Sequence, residues 1–309
     1  MRILFFGSPA VAVPFLEACA AEHEVLAVVT QPDKPSGRGL ALKPPAVKGA
    51  ALRRGLRLFQ PEKPSVLAGE LQALGAEMAV VVAYGRILRP DLLAVTKHGF
   101  MNVHFSLLPK YRGAAPVQWT LIKGESETGV TLFWLDAGMD TGPVQRIART
   151  PLPPDEDSIS LFPRLVSLGV SELRAALKDV AAGRVVREPQ RGDASPAPKL
   201  DFAVARIGFE MSAQEFHNRV RGLTAGPGAW LETKAGGVPL RVKVYKAGLE
   251  SAEGAGEAGR ILAVEPDGAV LVQCRDGVVR VREVQPEGKK RLPAADFING
   301  LRLKAGQLL

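Results

Sequence analysis

Cysteine is nearly absent: among 309 residues only Cys19 and Cys274 occur. They lie far apart, with no Cys-x-x-Cys pair and no Cys/His cluster near either. A disulfide framework is thereby excluded, and no metal ligand set is offered. Both stand in apolar runs, so buried, unreactive thiols are expected. No apolar stretch approaches the roughly 18 residues of a membrane span. The opening run Arg2-Ile3-Leu4-Phe5-Phe6 is too short for a secretory signal core and lacks a cleavage site, so a cytoplasmic protein away from the membrane is expected. The turn Gly7-Ser8-Pro9 departs from Gly-x-Gly-x-x-Gly, which leaves dinucleotide binding unsupported, although a phosphate could still meet the helix that follows. Acidic residues are the minority. With 40 basic against 32 acidic side chains the net charge is +8, which favours a polyanionic partner, nucleic acid first and a generic basic surface second.

What is present is an alternation of short apolar runs and helical patterns over the first half of the chain. Strands are expected at 2–6, 25–30, 56–59, 78–83, 100–104, 129–134 and 144–150. Helices are expected to about Ala21, at 46–54, at 64–74 and at 158–182, the last interrupted near Gly169. Such alternation indicates an α/β fold, a Rossmann-like doubly wound, mostly parallel sheet. From Gly183 the hydrophobic periodicity decays into Arg, Pro, Asp and Ser, the pattern of a linker. Ser212-Ala213-Gln214-Glu215 is a capping box opening a helix that stops at Gly222. Five short β runs follow, at 229–233, 240–247, 259–264, 269–274 and 278–284, with Gly-rich turns between them, which suggests a small barrel. The expected division is 1–183, a linker over 184–203, and a smaller domain over 204–309.

The chemistry concentrates in Asn102-Val103-His104-Phe105-Ser106-Leu107-Leu108-Pro109 and, further on, Leu135-Asp136-Ala137-Gly138-Met139-Asp140-Thr141-Gly142-Pro143. A strand alternates faces with period two, so Asn102 and His104 project from one side. A strand that ends in polar side chains reads as the carboxyl edge of an α/β sheet, where ligands bind. An amide donor, an imidazole and a carboxylate are the groups needed to move an acyl-level carbon onto an amine. Taken alone, Asn-x-His on a strand is ordinarily structural, and an Asp/Gly loop is ordinarily a turn. His23, His98 and His217 stand in contexts that read as structural.

The whole stretch from Asn102 to Pro143, including Ser106-Leu107-Leu108-Pro109-Lys110-Tyr111-Arg112-Gly113-Ala114-Ala115-Pro116, resembles the folate-dependent formyltransferases, above all the members that act on tRNA. Ile3 to Pro9, Thr30 to Gly39 and Gln285 to Lys290 extend the likeness over nearly the whole chain. The resemblance implies a formyltransferase catalytic domain over 1–183 and an OB-like tRNA-binding domain over 204–309. It implies transfer of the formyl group of 10-formyltetrahydrofolate to the α-amine of methionyl initiator tRNA, by a monomer and without a metal. Asn102, His104 and Asp140 would be catalytic, with Asp140 orienting His104 and favouring its charged form. Ser106, Leu107, Leu108 and Pro109, the backbone of Arg86, Ile87 and Leu88, and the loop from Asp136 to Asp140 would hold the folate, the Asp136 side chain itself serving structure. Arg38 and Lys43, in the basic, Gly- and Pro-rich segment 33–45, would meet the acceptor stem; that segment is expected to form neither helix nor strand. Aromatics for base stacking are sparse in the C-terminal part, so contact through phosphates is expected there.

Departures from the family pattern lie in that part too. Arg221 to Ala229 lacks the Asn and Trp of the usual Arg-Gly-Leu-Asn-Pro-Trp-Pro-Gly-Ala, and Arg206-Ile207-Gly208-Phe209 replaces Arg-Ile-Asp-Trp. Two readings stay open beside the main one: formylation of glycinamide ribonucleotide or an amino sugar by the same three residues, and a non-catalytic RNA-binding protein on a degenerate transferase fold.

Overall fold

The computed structural model describes residues 1–36, 41–235, 237–250 and 256–309. They gather into two compact units, one of Met1–Pro116, Thr128–Thr150 and Pro163–Ala197, the other of Val117–Glu127, Pro151–Phe162 and Pro198–Leu309.

In chain order the first elements are β1 (Arg2–Gly7), α1 (Val13–Glu22), β2 (Glu24–Val29), β3 (Lys34–Ser36), β4 (Ala41–Lys43), α2 (Ala46–Arg53), β5 (Leu58–Phe59), α3 (Ala68–Ala73), β6 (Met78–Val82), α4 (Pro90–Leu93) and β7 (Phe100–His104). Then come β8 (Arg112–Gly113), α5 (Pro116–Ile122), β9 (Glu127–Trp134), β10 (Val144–Pro151), α6 (Ser158–Ala181) and β11 (Pro196–Ala197). Seven strands make the main sheet in the order β10-β9-β7-β6-β1-β2-β5. β1 runs parallel to β2 and β6, β6 to β7 and β2 to β5, while β9 joins β7 antiparallel. The central runs are apolar throughout because helices cover both faces. Ile3, Leu4, Phe5, Phe6, Met78, Val80 and Val82 are wholly buried, each contributing about 1.5–3 kcal/mol relative to exposure. Strand order reverses between β1 and β6, and the crevice at such a reversal is where open α/β sheets bind ligands.

Two local expectations are corrected. α6 runs unbroken through Gly169: a Cβ there would lie 2.9 Å from the Phe15 ring and 3.5 Å from Val103, so this glycine serves close approach to the sheet and does not interrupt the helix. The segment 33–45 does carry strands. β3 and β4 pair antiparallel, Lys34 opposite Lys43 and Ser36 opposite Ala41, because an edge ribbon tolerates Pro35 where no ladder bond is needed.

The second unit contains α7 (Ala213–Leu223), β12 (Ala229–Ala235), β13 (Val238–Glu250), β14 (Ile261–Val264), β15 (Val270–Gln273), β16 (Val278–Pro286), β17 (Leu292–Pro293) and α8 (Ala294–Gly300). The Ser212 hydroxyl accepts from the Glu215 amide at 3.0 Å, half of the expected capping box. The antiparallel order β12-β13-β16-β15-β14, with β17 on β16, wraps a core of Phe216, Leu231, Val242, Val272, Val279 and Ile298. This is the small antiparallel β domain the Gly-punctuated runs imply, with β17 and α8 added. Periodicity missed both because one is two residues long and the other seven.

Both cysteines are buried and free, and burial pushes each thiol up to about 12, so neither ionises near neutrality. All four histidines move the other way. Burial is the main cause of the lowered pKa at His23, His98, His104 and His217. The unfolded chain then takes up protons near 6.5 before the folded one does, so stability is full above that value and is lost as pH falls below it. Thermal denaturation at pH 7.5 and pH 5.5 should show the lower melting temperature at pH 5.5; an unchanged or higher value there would contradict this account.

Candidate active site

At the carboxyl ends of β6 and β7 lies a cleft of about 540 Å³. One wall is Asn102 to Phe105, and the others are Ala83 to Leu88 and Leu135 to Asp140, with Gly113 and Ala114 at the edge. Asn102 and His104 stand two residues apart on β7, opposite Phe133 and Thr131 of β9. That register delivers both side chains to the cleft, as the period of two requires.

His104 is 5% exposed and stacks edge-on to Phe133. Its Nε2 lies 2.9 Å from the Tyr111 carbonyl. A carbonyl only accepts, so Nε2 carries the proton and Nδ1 is the basic nitrogen. Nδ1 faces Asp140 Oδ2 at 3.6 Å, and that same carboxylate oxygen accepts from the Gly113 amide at 2.8 Å. Burial lowers the His104 pKa, against upward pulls from Asp140 and from the bond to Tyr111. Asp140 favours the charged form, but burial outweighs it, so the imidazole of the free protein is neutral near pH 7.

Asp140 adopts φ +55°, a left-handed conformation that Asp tolerates better than most side chains. Asp136, earlier in the turn, accepts from the Gly138 amide at 3.0 Å and the Thr141 hydroxyl at 2.7 Å, and so braces the loop from within. Gly142 must lack a side chain, since a Cβ would fall 1.8 Å from the Trp134 carbonyl oxygen.

The residues expected to hold a ligand divide in two. Arg86, Ile87 and Leu88 line the cleft together with Asp136 and Asp140. Ile87 and Met139, 80% and 66% exposed, are apolar side chains of its lining. Ser106, Leu107, Leu108 and Pro109 do not line it. Ser106 is wholly buried and donates to the Lys110 carbonyl at 2.7 Å, and Thr131 bonds both the Ser106 carbonyl and the Leu108 amide. They shape the turn that brings the Tyr111 carbonyl to His104. Lys43 is exposed on β4, and Arg38 lies outside the described residues.

Some contributors carried no local signal. The stretch 186–197, within the expected linker, is bonded along the first unit: Val186 to Gln145, Glu188 to Val144, and Ser195 to Tyr111. Gln190 donates to the Asp140 and Gly142 carbonyls. Neither composition nor period marks such long-range contacts.

The fold and the sequence comparisons together are those of a group-transfer enzyme. The family profile described as formyl transferase matches residues 1–177, and the one described as its C-terminal domain matches residues 199–302. The chain belongs to the formyl transferase family. It is 41% identical to the methionyl-tRNA formyltransferase of Elusimicrobium minutum, over 100% of this chain and 99% of that one. Identity with the methionyl-tRNA formyltransferase of Myxococcus xanthus is 44%, over 99% and 96% of the two chains. Among solved structures, HypX from Aquifex aeolicus in complex with tetrahydrofolic acid shares the fold, with a TM-score of 0.65 at 21% identity, over 97% of this chain and 47% of that one.

Proposed function

We propose that this protein transfers the formyl group of 10-formyltetrahydrofolate to the α-amine of methionyl initiator tRNA, in the cytoplasm, for translation initiation. The observation that carries the reading is the meeting of Asn102, His104 and Asp140 on one cleft, with His104 Nδ1 3.6 Å from Asp140. Full-length identity with methionyl-tRNA formyltransferases supports the acceptor. A cleft of about 540 Å³ with apolar sides is of the size that takes one cofactor-sized molecule. The backbone of Arg86 to Leu88 and the loop from Asp136 to Asp140 would hold the folate there, main-chain groups reading the donors and acceptors of the fused ring. Ser106 to Pro109, in the turn that follows β7, would contact the folate as well.

Asn102 donates its amide to the formyl oxygen, where negative charge grows as the amine attacks; a donor so placed is worth about 3–4 kcal/mol. His104, neutral and with Nε2–H held by Tyr111, takes the proton of the attacking amine at Nδ1. Asp140 stabilises the imidazolium that results and keeps the ring in place. The C–N bond forms to the acceptor amine, the bond to the donor nitrogen breaks, and the proton held at Nδ1 can return to that leaving nitrogen. No covalent enzyme intermediate is required.

The domain over 204–309, with Lys43 and Arg38 of the first half, is assigned to the tRNA. Assays with 10-formyltetrahydrofolate and each of charged initiator tRNA, glycinamide ribonucleotide and an amino-sugar nucleotide test the acceptor. Turnover is expected with the tRNA alone; turnover with one of the others and none with tRNA would replace this reading. The KM for tRNA should rise steeply between about 50 and 200 mM salt, as release of counterions from a polyanion requires. A flat salt response would remove the phosphates from recognition.

A further inference from the structure

We propose that Gln190 is a positioning residue for the transfer: its amide locks the Asp140 turn to the Arg112–Gly113 strand and so aims the carboxylate at His104. The inference rests on the reading of Asn102, His104 and Asp140 as the catalytic groups.

Four hydrogen bonds meet on this one side chain. Nε2 donates to the Asp140 carbonyl at 2.8 Å and to the Gly142 carbonyl at 2.9 Å. Oε1 accepts from Arg112, at 2.7 Å from Nη2 and 3.2 Å from Nε. The amide has a single orientation that works. Turned over, it would set its oxygen against two carbonyl oxygens and its NH2 against a guanidinium.

Both ends of the bracket bear on the Asp140 carboxylate. One end grips the main chain at a residue with φ +55°, where a small change of backbone angle swings the side chain. The other end holds Arg112, whose neighbour Gly113 donates its amide to Asp140 Oδ2 at 2.8 Å. Gly113 is itself tied in place. It has φ +125°, and a Cβ there would lie 2.7 Å from the Ala197 carbonyl oxygen, so the strand carrying Arg112 lies tight against the segment that carries Gln190. At 3.6 Å, the gap between Oδ2 and Nδ1 leaves little latitude. Displacing a catalytic group by about 1 Å can cost on the order of 10²-fold in rate.

The test uses the full-length protein carrying Gln190→Met, which keeps the volume and removes both donors and the acceptor. The kcat should fall about 10- to 100-fold with the KM for each substrate within about 2-fold, as for loss of an interaction realised only in the transition state. With Asp140 no longer held near, the His104 NMR titration and the acid limb of the kcat–pH profile should move to lower pH. In an Asp140→Asn background Gln190→Met should cost little more, because the residue acts through that carboxylate. Should Gln190→Met not fold, Gln190→Asn, whose shorter amide cannot span both partners, carries the same expectations. A normal kcat and pH profile in the variant, or an equal further loss without the Asp140 charge, overturns the proposal. If instead His104→Ala and Asp140→Asn both turn over normally, it is the underlying catalytic reading that fails.

Discussion

The His104→Ala variant is expected to lose about 10²–10⁴-fold in turnover, the range removed with a general acid–base group. His104 spends Nε2–H on the Tyr111 carbonyl, leaving Nδ1 as the only nitrogen able to take a proton in the cleft. Among the described residues, the imidazole nearest the Asp140 carboxylate is this one. Removing a ring that is 5% exposed also leaves a cavity beside Phe133, so some stability is lost as well. His104→Gln separates the two effects. It refills most of the space and can still donate to Tyr111, yet cannot accept the amine proton as an imidazole does. Both variants should be equally slow, with His104→Gln the more stable. Near-normal turnover in either would remove His104 from the mechanism.

Asp140→Asn should slow the reaction to a similar extent and also change its pH dependence. Asn tolerates a left-handed backbone at least as well as Asp, so the turn at φ +55° is retained, and the side-chain oxygen can still accept from Gly113. What disappears is the negative charge 3.6 Å from Nδ1. That charge pulls the His104 pKa upward against the dominant effect of burial. Without it the pKa falls further, and the acid limb of the kcat–pH profile, where His104 becomes neutral, shifts to lower pH. Over the plateau the variant stays slow, because the imidazolium formed on proton transfer has lost its counter-charge. A profile superimposable on that of the unmodified protein would separate Asp140 from His104.

Much of the architecture was legible in residue order. The apolar runs at 2–6 and 78–83 read as buried parallel strands because helices on both faces leave no polar side to alternate with. Asn102 and His104 share a face through a two-residue spacing that holds in any strand. Gly169 misled for a physical reason: in isolation a glycine weakens a helix, but here it lets α6 approach Phe15. The burial of Ser106 and its bond to the Lys110 carbonyl, by contrast, carry no signal in residue order.

By itself, then, the chain order determined the strand-helix alternation, the second β domain, and the pairing of an amide with an imidazole on one strand face. Each depends on neighbours a few residues away, where period and side-chain type suffice. Only the tertiary structure decided which nitrogen of His104 is basic and where Asp140 points. Tyr111 and Gly113 lie 7 and 27 residues from the groups they hold, Gln190 lies 50 from Asp140, and Ser195 lies 84 from the Tyr111 amide it anchors. Contacts at such separations leave no period in the sequence, because the chain between them is free to vary until packing closes it.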